Sequence, residues 1–170
     1  MLILHKRRFI IILVIIMPGM DILTVHRGDF TISTDSSKLD LTFIHEFLSK
    51  EAYWSKNIPY EVVQAAARNS LNFGVFHEGR QVGYARVITD YATIAYLGDV
   101  FIITEFRGQG LSKWLLETVM KHPDLQGFRR WILLTTDAHK LYKKFGWTQI
   151  ASPEKWMEKH DPAAYAKENG

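Results

Sequence analysis

The stretch Asp99-Val-Phe-Ile-Ile-Thr-Glu-Phe-Arg-Gly-Gln-Gly-Leu-Ser-Lys113 decides the architecture. Its apolar, β-prone start predicts a strand over residues 96–103, central and covered on both faces. Glycines at 108 and 110 permit backbone angles that other residues resist and a close approach to a ligand. Leu111, Trp114, Leu115 and Val119 then recur at helical spacing and mark a helix ending near His122-Pro123. The first N–H groups of a helix have no intrahelical partner and sit at the positive end of its dipole, so phosphate is a natural guest. A plain strand-to-helix connection is the bland alternative. The dinucleotide fingerprint Gly-x-Gly-x-x-Gly fails at Lys113, and the Lys-Ser/Thr ending of a P-loop is absent.

Outward from this segment the chain alternates in type. Residues 30–34 are β-prone, and Ser36, Ser37 and Asp40 supply cap chemistry for a helix carrying Leu41, Ile44, Phe47 and Leu48. Pro59 is placed to open a second helix over 61–71. Residues 73–77 and 81–89 flank Glu78-Gly79-Arg80 and read as an antiparallel hairpin. Downstream, 131–134 reads as a buried strand, and Ala138, Leu141, Tyr142 and Phe145 stripe a short helix stopped by Gly146. Residues 147–150 and 155–158 are candidate closing strands. The order β-α-α-β-β-β-α-β-α-β predicts one α/β (α+β) domain over residues 20–170. Its mixed central sheet should have about six or seven strands, with helices on both faces.

Two blocks carry a resemblance. Arg107-Gly-Gln-Gly-Leu-Ser112, with its lead-in Ile102-Ile-Thr-Glu-Phe106, resembles the phosphate-loop signature of the GNAT acetyltransferases. Asp137-Ala-His-Lys-Leu-Tyr-Lys-Lys-Phe-Gly-Trp147 is similar to that family's later tyrosine segment, and the blocks stand in family order. The resemblance covers residues 29 to about 158. It implies acetyl-CoA as cosubstrate, with its pyrophosphate held by the loop Arg107, Gly108, Gln109, Gly110, Leu111 and Ser112. Its pantetheine arm would lie along the main chain of Phe101 and Ile102, in a gap left by a bulged, splayed strand, where an N–H would also face the thioester carbonyl. Tyr142 matches the tyrosine that protonates the departing thiolate. Asp137 stands where the family has Asn at a pantetheine contact, and Ser112 replaces the usual Gly/Ala.

Amine acetylation needs a neutral amine, a polarised carbonyl and a proton for the leaving sulfur. Core packing is the competing role for Tyr142, which lies on an apolar stripe. Asp99 is the first candidate for the base, three residues before Ile102; a salt bridge or strand-end cap is its equal alternative. Glu51, His45, His139 and a water chain follow. Arg129 and Arg130 could reach the 3′-phosphate, although solvated edge charges are the default. Tyr53, Trp54, Tyr84, Tyr91 and Tyr96 give the acceptor side an aromatic character that suits an apolar or cationic amine. A small-molecule or peptide amine is the expected acceptor. A non-catalytic acetyl-CoA sensor is the rival reading, and a homodimer is the family's default.

Bulk properties narrow the classes. The chain has 170 residues and no cysteine, which fits one domain in a reducing, cytoplasmic setting and removes thiolate metal sites. Seven histidines are scattered without ligand spacing, so no metal is expected. The net charge of +3 resides in Lys6, Arg7 and Arg8 of an acid-free leader, residues 1–19. From Met20 onward 18 basic residues balance 18 acidic ones, which argues against nucleic acid as a partner. The leader's apolar run is far shorter than the ~20 residues a membrane span needs. An over-long start, with translation from Met17 or Met20, is preferred to a secretion signal, because no small-x-small cleavage site follows.

Overall fold

The computed structural model describes residues 21–166; the leader and the choice of start lie outside them. Six strands form one sheet in chain order: β1 Thr24–Arg27, β2 Phe30–Ser33, β3 Leu71–His77, β4 Arg80–Thr89, β5 Ile94–Ile102 and β6 Arg130–Ile132. Neighbours from β1 to β5 are antiparallel, and β6 runs parallel to β5, so the sheet is mixed.

Helices α1 Leu41–Lys50 and α2 Tyr60–Arg68 join β2 to β3. Helix α3 Leu111–Met120 joins β5 to β6, and the short α4 His139–Lys143 follows β6. Strand residues alternate between two faces, and the core divides accordingly. Val75, Ala85, Leu97 and Ile102 pack with Leu111, Leu115 and Val119 of α3. On the other face Tyr84 and Phe101 pack with Ile44, Phe47 and Val63 of the early helices. The rings of Phe47 and Phe101 stack at 3.8 Å. Helices therefore cover both faces.

Local chemistry accounts for where the boundaries differ from the sequence reading. Asp40 caps α1, accepting from Phe43 N–H at 2.9 Å, while Ser36–Lys38 forms a separate 3-10 turn capped by Asp35. Helix α2 stops at Arg68 rather than at residue 71. The Asn72 side chain donates to the carbonyls of Ala67 and Ser70 at 2.8 and 2.9 Å, satisfying the helix end as the chain turns into β3. The four residues of β1, Thr-Val-His-Arg, carry too few apolar positions for the sequence to show a period.

The C-terminal end departs most. Residues 147–150 and 155–158 form no strand. Pro153 opens a 3-10 turn, Pro153–Lys155, and Trp147 turns its ring, not its backbone, toward Trp131 and Tyr142, with ring centroids 6.0 Å away in both cases. Strand β6 is shorter and less buried than expected, with Leu134 72% exposed, since only β5 pairs with it.

Candidate active site

The site begins at an irregularity in β5. Tyr84 lies opposite Phe101 but Arg86 opposite Gly98, so β5 carries one residue more than β4 across this step. The extra residue is absorbed at Asp99, whose φ of 53° lies in the left-handed region. On its other edge β5 pairs with β6 only from Ile94 to Tyr96. Beyond the bulge, no strand among the described residues lies beside that edge.

The direction of the amides along the open edge follows from one bond. Ile103 donates its N–H to Val82 O at 3.0 Å. Successive amides of a strand point to opposite edges, so Phe101 also faces β4, whereas the N–H groups of Val100 and Ile102 face the open side. Of the two expected pantetheine contacts, Ile102 has this orientation and Phe101 does not. The amide of Val100, next to the bulge, faces the open side as Ile102 does. The carbonyl of Ile102 accepts from Arg107 Nε at 2.9 Å, which ties the strand end to the turn that follows.

That turn reaches α3 through Gly108 and Gly110, at φ 79° and 75°. Gly110 occupies the N-cap position and offers no side-chain cap. The first helix-type bond is donated by Trp114 to Gly110 O, 3.1 Å. Among the described residues no protein acceptor takes the N–H groups of residues 108–113. A run of free donors at the positive end of a ten-residue helix suits a diphosphate. A Cβ at either glycine would meet nothing within 4 Å, so glycine is required here by backbone angle and by what must come close, not by protein crowding. The donor set and the open edge of β5 together fit the coenzyme A moiety.

Tyr142 is 8% exposed and packs in the α3-side core, its ring against Trp147. Burial pushes its hydroxyl up to about 12, and Tyr53, Asp137 and Tyr96 act in the same direction. These three come from the α1–α2 connection, the β6–α4 loop and β5, so Tyr142 stands where those segments converge. Tyr53 Oη accepts from Thr136 N–H at 3.1 Å, closing that junction. Asp137 is exposed and accepts from Thr135 Oγ1 at 3.4 Å.

Asp99 receives the Nε–H of Arg86 on one oxygen and the indole N–H of Trp54 on the other, the latter at 3.1 Å. Arg86 also donates to Ser70 Oγ at 3.4 Å. Tyr53 and Trp54 meet edge-to-face with centroids 5.0 Å apart, and both are exposed beside this carboxylate. Tyr96 is half-buried on the same strand, its hydroxyl pushed up by burial and by Asp99.

The rest of the expected aromatic wall is elsewhere. Tyr84 is 1% exposed, donates to Asn72 Oδ1, and belongs to the core. Tyr91 sits in the β4–β5 turn, at the opposite end of β5 from the bulge. Among the other base candidates, His45 bonds Ile58 O at 3.1 Å, Glu51 is the exposed C-cap of α1, and His139 opens α4. Arg130 stacks over Trp156 at 4.9 Å. A cavity of about 770 Å³ opens between β6 and residues 147–156, against Trp131, Tyr142, Trp147 and Trp156, but neither β5 nor the glycine turn lines it. Among the described residues no three His, Asp or Glu side chains gather as metal ligands, and no helix is long and apolar enough to cross a membrane.

Known proteins share this fold. Residues 41–147 match the family model described as the acetyltransferase (GNAT) family, and the chain belongs to that family. A Gibberella zeae protein with the curated name "Putative acetyltransferase" is 34% identical, with 69% of this chain and 78% of that protein covered. A crystal structure from Xanthomonas campestris pv. campestris, described as belonging to the GNAT family, is 52% identical. It covers 81% of this chain and 96% of its own, with a TM-score of 0.79. At 17% identity, a GNAT family protein of Streptococcus pneumoniae shares the fold, with a TM-score of 0.59 over 77% of this chain and 96% of its own. The protein is thus an acyltransferase by family.

Proposed function

We propose that this protein moves an acetyl group from acetyl-CoA to a primary amine of a small molecule or peptide. The observation that carries the reading is the run of unpartnered N–H groups at residues 108–113 beside the open edge of β5. Acetyl-CoA supplies an activated thioester. The protein holds its diphosphate on the glycine turn, through Arg107, Gly108, Gln109, Gly110, Leu111 and Ser112, and its pantetheine along Ile102, with Asp137 at the β6–α4 side.

The N–H of Val100 meets the thioester oxygen, and a preorganised donor of this kind is worth about 2.7–4 kcal/mol in the transition state. Tyr142, kept neutral by burial, donates its proton to the departing sulfur, a role worth roughly 10²–10⁴-fold. Asp99, at the bulge, takes the proton that the attacking nitrogen loses as the C–N bond forms and the C–S bond breaks. The exposed Tyr53 and Trp54 beside it suit an amine with an apolar or cationic body. The absence of cysteine fits a cytoplasmic enzyme, and a homodimer completes the proposal.

One observation favours a second reading, a non-catalytic acetyl-CoA sensor: both oxygens of Asp99 are already engaged by Arg86 and Trp54, so no free base stands at the bulge. Heat denaturation with and without acetyl-CoA tests the common premise. Ligand at 100 times its dissociation constant should add about 2.7 kcal/mol of stability. No shift at saturating concentration removes both readings. Thiol release across polyamines, amino acids, aminoglycosides and peptide N-termini then separates enzyme from sensor.

A further inference from the structure

Arg27 ends β1, directly opposite Phe30 across the turn at Gly28-Asp29. The hairpin is fastened to the lead-in of the glycine turn: the ring of Phe30 meets Phe106 edge-to-face at 6.0 Å, and His77 packs against both. From there the guanidinium crosses to the phosphate loop. Its Nη2 donates to Gln109 O at 3.3 Å, and its centre lies over the Trp114 ring at 4.8 Å. Among the described residues no carboxylate lies within ion-pair distance of it, since Glu105, the acid of this turn, pairs with Arg80. One Gln109 bond leaves most of the five guanidinium donors free.

The guanidinium is exposed, and the charges around it among the described residues offer it no partner. The start of α3 is already the positive end of a dipole, and cations are disfavoured there. Arg107, its Nε engaged by Ile102 O, and Lys113, exposed on the first turn, add to the positive field. A cation fixed by an aromatic face in such a field, without a protein anion, is arranged for an anion from outside. Resting on the acetyl-CoA reading above, we infer that Arg27 is a further cosubstrate-binding residue, a side-chain clamp on the diphosphate that the main-chain amides of the loop receive. Residue 27 lies on the N-terminal hairpin, outside the stretch matched by the family model.

The test compares wild type with Arg27→Met, which keeps the stem over Trp114, and Arg27→Lys, which keeps the charge. Binding is measured for acetyl-CoA, 3′-dephospho-acetyl-CoA and phosphate-free S-acetylpantetheine. Loss of a charge-assisted contact to phosphate should weaken acetyl-CoA roughly 10- to 100-fold in Arg27→Met, with partial recovery in Arg27→Lys. S-acetylpantetheine should bind all three proteins alike. An equal loss with the dephospho compound assigns the contact to the diphosphate, and a loss confined to acetyl-CoA moves it to the 3′-phosphate. Thermal unfolding without ligand should be unchanged. If folded Arg27→Met binds acetyl-CoA as wild type does, the clamp is overturned while the transferase reading stands. If wild type itself binds no acetyl-CoA, both fall together.

Discussion

Arg86 and Asp99 form an ion pair across the β4–β5 bulge, with the two side chains only 18% and 11% exposed, and the residue that receives the charge is the one held at positive φ. The pair thus fastens the irregularity that opens the edge of β5. Asp99→Asn keeps the shape, and Asn tolerates this backbone region better than most residues, but the charge facing Arg86 is lost. A stability loss of about 1–3 kcal/mol is expected in urea unfolding. Turnover should fall with it, and a change in the acid limb of the pH–rate profile would identify proton transfer beyond a positioning role. Normal turnover in this variant eliminates Asp99 from the chemistry.

Tyr142 should act only as a proton donor. With its hydroxyl pushed up to about 12, it stays protonated throughout the working range, so its ionisation should not limit turnover below pH 10. Tyr142→Phe removes the proton and retains the packing against Trp147. Thiol release should drop at least roughly 10²-fold while acetyl-CoA binding persists. Unchanged turnover would leave Tyr142 with its core role alone.

Gly83 lies opposite Ile102 on β4. A Cβ there would collide with Ile102 Cδ1 and stand 2.8 Å from the carbonyl oxygen of Phe101, a backbone atom that cannot swing aside. Gly83→Ala should therefore push β5 toward its open edge. The expected results are a destabilisation of about 1–3 kcal/mol and weaker acetyl-CoA binding, read by denaturant midpoint and titration. Full binding at lowered stability would separate the strand position from the cosubstrate groove.

His122 is 2% exposed at the end of α3; its Nδ1 accepts from Asp124 N–H at 3.3 Å and its Nε2 has no partner among the described residues. Burial lowers its proton affinity below the ordinary 6.5, against a smaller opposing effect of Asp124. The folded protein therefore holds this ring neutral where the unfolded chain takes a proton. Its contribution to stability is complete above pH 6.5 and is lost as the pH falls below it. His122→Asn keeps an acceptor for Asp124 and cannot titrate. Urea midpoints between pH 7.5 and 5 should slope less steeply in the variant, and equal slopes would refute the assignment.

What the chain alone determined is local. Glycines 108 and 110 between an apolar strand and a helical stripe, with Tyr142 on a later stripe, could be read as a candidate phosphate turn and a candidate acid, because each depends on neighbours within a few residues. Hairpin order followed from Glu78-Gly79-Arg80 in the same way. Only the tertiary structure decided the rest. Asp99 adopts a left-handed φ because β5 fits two residues opposite one of β4, a mismatch no single strand records. Its partner Arg86 and the reach of Arg27 to Gln109, 82 positions away, depend on which segments the sheet brings together. The closing strands failed for the same reason: β propensity at residues 147–150 means little until a partner edge presents its amides, and here the aromatic ring of Trp147 packed instead.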